Sequence, residues 1–128
     1  MVKRPSSTAA AKLPLTPLSL AVLLVLADEP RHGYAIIKAL EAETEGRIVP
    51  GAGTLYAALQ RMVDDGLITE RSRALADGDD QRRRYYSLTA FGRDVARAEL
   101  LRLARLMSTD SARRLLPDIR LTIPEALR

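Results

Sequence analysis

Pro50-Gly51-Ala52-Gly53-Thr54-Leu55-Tyr56-Ala57-Ala58-Leu59-Gln60-Arg61-Met62-Val63-Asp64-Asp65 is the stretch on which the reading of this chain turns. Apolar residues recur at Leu55, Leu59, Met62 and Val63, the spacing of a helix with one buried face, and Gly66 stands where such a helix stops. The other face carries Gly53, Thr54, Ala57, Gln60 and Arg61, all small, hydrogen-bonding or basic. The acidic pair Asp64 and Asp65 is held to the far end. A helix of this design can approach a polyanion closely, its free N–H groups and positive dipole end pointing forward.

Upstream, residues 1–13 are rich in Ser, Ala and Lys without an apolar period, which predicts a mobile arm able to touch phosphate. Residues 17–27 are almost wholly apolar. With Lys3, Arg4 and Lys12 ahead of it and Val25-Leu26-Ala27 behind, this run has the outline of a cleaved leader. Pro14 and Pro17 interrupt that outline, and Thr16-Pro17 is an N-cap followed by proline at the first helical position, so a buried helix is expected. The run is shorter than the roughly twenty residues that span a bilayer, and a cytoplasmic location follows as the expectation. A second helix is predicted from Gly33 to about Glu45, with Ile36, Ile37 and Leu40 as its apolar stripe, and Arg47-Ile48-Val49 as a short extended piece. Three helices separated by short turns make a helix-turn-helix unit.

Downstream the period changes. Leu67 to Arg73 and Arg83 to Leu88 read as two strands around the turn-forming Asp77-Gly78-Asp79-Asp80, a wing that needs the helices to be stable. Arg71 and Arg73 enter this wing and Arg82, Arg83 and Arg84 leave it, placed either to grip phosphates or as a solvated run neutralised by the acidic tip. Thr89 caps a further helix from Ala90, in which Ala96, Leu100, Leu103 and Met107 have the spacing of a coiled-coil seam. That seam either packs on the domain's own core or joins two copies, and the dimer is the preferred reading. Residues 109–128 hold a turn of helix at Ser111 to Leu116 and then Pro117 and Pro124.

Composition limits the chemistry. The chain has 128 residues, a formal net charge of +4, 47% apolar and only 4% aromatic residues, which fits one mainly α domain with an anionic partner. It has no cysteine and one histidine, His32, so disulfides and a Cys/His metal site are excluded within one chain. Nothing around His32 has the glycine-flanked pattern of a nucleophile, so neither an enzyme nor a cofactor is expected.

The assembled motifs resemble the PadR-like family of winged-helix transcriptional regulators, in the short form with a single carboxy-terminal helix. The resemblance rests on His32-Gly33-Tyr34, Gly53-Thr54-Leu55-Tyr56 with Leu59 and Arg61, Gly66-Leu67-Ile68, and Arg84-Tyr85-Tyr86 with Leu88-Thr89 and Gly92, in family order over residues 15–107. It implies a homodimeric, repressor-like protein on a near-palindromic operator, released by a small-molecule effector or stress signal. There are departures: Gly51-Ala52 replaces a frequent Ser-Pro, Ala57 a frequent proline and Val63 the usual glutamate. The absence of tryptophan removes the aromatic sandwich with which some relatives hold flat ligands.

The expected fold is thus mainly α with a small β-hairpin: an arm (1–13), a winged helix-turn-helix DNA-binding domain (14–89), a dimerisation helix (90–108) and a tail (109–128). Gly53, Thr54, Tyr56, Ala57, Gln60 and Arg61 form the expected reading face on double-stranded DNA. Tyr34, Lys38, Arg71, Arg73, Arg82, Arg83 and Arg84 form the backbone and wing contacts. For Tyr34 and Tyr56 two roles stand open, phosphate contact or a ring in the interhelical core. His32 is expected to open its helix rather than to sense pH. The rival to DNA binding is a protein-interaction module docking through the helix from Ala90.

Overall fold

The computed structural model describes residues 8–74 and 82–118, with only the backbone described at residues 73, 74, 82 and 83. Helix α1 (Pro17–Asp28) begins as its sequence dictates, the Thr16 hydroxyl accepting from the Ser19 N–H at 3.1 Å with proline in the first turn. Ala21, Val22, Leu23, Val25 and Leu26 are buried, so α1 is the central element of the core. The Pro17 start shows the apolar run folded as a core helix. A short strand β1 (Arg31–His32) leads into α2 (Gly33–Glu43), where His32 Nδ1 accepts from the Ala35 N–H at 3.2 Å. Helix α2 stops two residues short of the expected Glu45. There Glu45 and Gly46 both take positive φ, and Thr44 turns its hydroxyl onto the Leu40 carbonyl. Residues 47–49 form no strand. Helix α3 (Ala52–Asp64) follows, then β2 (Ile68–Ala74), β3 (Arg82–Leu88), α4 (Ala90–Met107) and α5 (Asp110–Leu115).

Among the described residues the sheet has three strands, one more than the hairpin expected, in the antiparallel order β1-β3-β2. Arg31 pairs with Tyr86 and His32 with Tyr85, so the residues that open α2 are hydrogen-bonded to the wing. Tyr86 of β3 is buried, and its hydroxyl donates to Glu70 Oε2 at 3.1 Å. Burial first, then the hydrogen bond and the charge of Glu70, push this hydroxyl from the ordinary 10.0 up to about 12. A raised folded-state pKa means that the folded protein holds this proton more tightly. The stabilisation is complete below pH 10 and is withdrawn as pH rises toward 12. Thermal melts between pH 9 and 11.5 should show the wild type losing up to about 2 kcal/mol more than Tyr86→Phe. Parallel losses would rule the coupling out.

The wing is clamped at its base. Past α3, Gly66 takes φ +77°, a left-handed conformation that favours glycine. Its N–H bonds the Val63 carbonyl while the Leu67 N–H bonds that of Met62, so the helix end is closed by paired backbone bonds. The Thr89 hydroxyl donates to the Gly66 and Leu67 carbonyls, at 2.7 and 2.9 Å, and accepts from the Gly92 N–H at 2.8 Å to start α4. A β-carbon on Gly92 would collide with the Leu67 carbonyl. Helix α4 therefore rests directly on the backbone that opens β2.

Two features go beyond the sequence reading. Residues 8–13, assigned to the arm, are folded: Ala9–Lys12 make a 3-10 turn against α4, and Ala9 and Leu13 pack on the core. Small residues supply no apolar period yet fit closely between elements. Residues 1–7 lie outside the described residues. Second, Glu99 of α4 is 1% exposed, accepting from the Leu15 N–H at 2.9 Å and from the Arg102 guanidinium. Arg102 holds its carboxyl below the usual carboxylate range, outweighing the burial that pushes it up, with help from the Leu15 N–H.

Candidate nucleic-acid interface

Helix α3 divides cleanly by face. Leu55, Ala58, Leu59 and Met62 are buried, whereas Gly53, Thr54, Tyr56, Ala57, Gln60 and Arg61 are all exposed, so the expected reading residues share one surface. Among the described residues no side chain caps α3: Gly51 offers only its carbonyl, which accepts from Leu55 N–H at 2.9 Å. The first turn thus presents backbone N–H groups without a side-chain acceptor, at the positive end of the helix dipole. Gln60 donates to Asp64 Oδ1 at 3.0 Å, one turn on, while Arg61 points outward.

The two tyrosines left open by the sequence differ in their surroundings. Tyr34 is 63% exposed, so its ring is not core. It stacks parallel to His32 at 6.5 Å between centroids, and Lys38 Nζ lies 5.6 Å from its ring on the outer side of α2. Lys38 also stands 3.8 Å from Glu41. Tyr56 is also exposed, at 43%, but its hydroxyl lies against Gly33, where a β-carbon would collide with it. Glycine at 33 and tyrosine at 56 thus dock α3 against the start of α2, which is the physical content of the two motifs.

The wing arginines do not form one row. Arg71 is opposite Tyr85 and Arg73 opposite Arg83, whereas Arg84 is opposite Ser72 on the face that carries Tyr86. Arg71 and Arg84 are exposed, and Arg84 lies 3.8 Å from Glu70. The side chains of Arg73, Arg82 and Arg83, and the acidic tip at Asp77, Asp79 and Asp80, lie outside the described residues. Sequence reasoning missed Tyr85, which meets His32 edge-on at 5.4 Å and joins the aromatic group at the start of α2. The only signal for it was the Tyr85-Tyr86 pair, whose alternate faces put one ring in the core and one outside.

The expected seam on α4 splits. Ala96 is buried in the domain's own core and is corrected to a core residue, because the face that bears Ala96 and Glu99 packs inward. Leu100 and Met107 are exposed and Leu103 is half-buried. Leu103 lines a groove of about 450 Å³ with Leu15, Leu20, Leu24, Ile48 and Arg102. Leu24 of α1 is exposed beside it, so α1 and α4 together leave an apolar surface open. Among the described residues no helix is long and apolar enough to cross a membrane.

The profile of the Transcriptional regulator PadR-like family matches residues 22–98, more than half of the chain. The chain belongs to that family. Among solved structures, a PadR-like transcription factor from Bacteroides fragilis is 29% identical, with 70% of this chain and 82% of that one covered at a TM-score of 0.60. Bacillus subtilis PadR, solved in complex with operator DNA, is 22% identical with a TM-score of 0.55, covering 86% of this chain and 51% of that one, a likeness of fold. The transcriptional regulator YqjI of Escherichia coli is 39% identical over 54 residues, 42% of this chain and 26% of that protein. The matches span about a quarter of the length of the curated relatives.

Proposed function

We propose that this chain is a sequence-specific DNA-binding transcriptional regulator, a repressor that works in the cytoplasm as a homodimer on a near-palindromic operator. The observation that carries the reading is α3 itself, apolar inward and slim, polar and basic outward, with an uncapped first turn. Thr54, Ala57, Gln60 and Arg61 reach base edges, Gln pairing with adenine and Arg with guanine. Tyr34, Lys38, Arg71 and Arg84 take phosphates, as do Arg73, Arg82 and Arg83 by extension of the same strands. The open apolar surface of α1 and α4, with Leu100, Leu103 and Met107, supports the dimer, which spaces two copies of α3 about one turn of DNA apart. Release follows a small-molecule effector or a stress signal; the groove beside Leu103 is large enough to admit a small molecule.

Selection of bound sites from a pool of random DNA tests this directly. The expected result is a two-fold symmetric site with half-sites roughly 10 base pairs apart, bound with a log affinity that falls linearly with log salt. A chain that elutes as a monomer and has no affinity for DNA at low salt would overturn it and favour a protein-interaction module.

A further inference from the structure

Three contacts, distant in sequence, meet on the segment before α1. Its 3-10 turn packs against α4. The Leu15 N–H donates to Glu99 Oε2, a carboxylate buried in α4 and 84 residues away. Lys12 Nζ lies 3.6 Å from Asp65 Oδ1, the C-cap of α3. That last position is electrostatically uneasy, since Asp64 and Asp65 add negative charge to the negative end of the α3 dipole, and a cation there relieves it. We infer that residues 8–16 are a positioning strap that ties α4 to the far end of α3, with Lys12 and Glu99 as its two anchors.

The strap gives α4 a route to the reading helix besides the core. Leu15 and Thr16 also line the groove together with Glu99, Arg102 and Leu103, so whatever occupies that groove touches the strap and α4 at once. Setting the angle of α3 matters only if α3 reads DNA, so the use of the strap rests on the proposed function. Its existence does not, and its test needs no DNA.

Hydrogen exchange on the full-length chain, followed residue by residue, reads both ends. Glu99→Gln keeps the shape but removes the charge, and it touches no residue of α3. It should speed exchange at Leu15 about tenfold, and in the last turn of α3 (Arg61 to Asp64) about two- to fivefold, the range that a surface ion pair commands. In a Lys12→Ala background the effect on Leu15 should persist and the effect on α3 should vanish. The reverse experiment disturbs no buried group: Asp65→Asn should speed exchange at Ala11 and Leu13, whose N–H groups close the 3-10 turn on Thr8 and Ala10. Faster exchange at Leu15 with α3 unchanged would overturn the inference and leave Glu99 a local anchor. So would an α3 response that survives Lys12→Ala, or an Asp65→Asn variant with an undisturbed turn. Failure of the wild-type chain to select DNA would sink the proposed function and leave these three outcomes readable.

Discussion

Alanine at position 92 should destabilise the fold by about 2–4 kcal/mol and lower the melting temperature by on the order of 10–20 °C. The added β-carbon falls on the Leu67 carbonyl and meets Leu88 as well. The Leu88 methyl can swing aside, but the Leu67 carbonyl cannot easily yield, because it already accepts from both the Thr89 N–H and the Thr89 hydroxyl. Helix α4 would have to lift from the wing. Gly53→Ala is the control, since nothing lies within 4 Å of a β-carbon there and α3 is regular. It should hold or gain up to about 1 kcal/mol from helix propensity. Melts of the two variants with indistinguishable midpoints would refute the close approach of α4 and β2.

Arg61→Ala should weaken binding to a selected site by about 10- to 100-fold while leaving binding to random DNA within a few-fold of the wild type. An arginine bidentate to guanine contributes discrimination as well as attraction, and its loss should relax preference at a single base position. Gln60→Ala should cost less, roughly three- to tenfold, because Gln60 must first give up its hydrogen bond to Asp64. Arg71→Ala should differ in kind: under its proposed phosphate role, binding to every sequence should weaken alike and the salt slope should fall by about 1. Fluorescence anisotropy at several salt concentrations separates the two patterns. If Arg61→Ala weakened all sequences alike, Arg61 would bind phosphate and the base-reading assignment would fall.

The division of α3 into faces was legible because helical periodicity is a local property, and so were the Thr16 and Thr89 caps. The third strand was not. Arg31-His32 is two residues long, polar, and defined only by its partners more than fifty positions downstream. Glu99 was hidden for a related reason, since a charged residue inside a helical pattern reads as surface until a buried donor is found for it. Its donor, the Leu15 N–H, is backbone and carries no side-chain signature. On α4 the repeat was legible and its orientation was not. Ala96 recurs with Leu100, Leu103 and Met107 at regular spacing, but spacing alone does not say which part of a helix turns inward first. The folded turn at Ala9–Lys12 lacked any pattern, because alanines pack by being small.

Thr89 closes a loop. Its hydroxyl holds the carbonyls of Gly66 and Leu67 across 23 and 22 positions of sequence, so both ends of the wing are fixed to each other at the body of the domain. The free energy of joining those ends is therefore set at the footing, and lengthening the segment between β2 and β3 adds only the logarithmic part, about 0.6 kcal/mol per doubling. Wing length is in this sense a cheap variable, one that can change without re-engineering the helices that hold it.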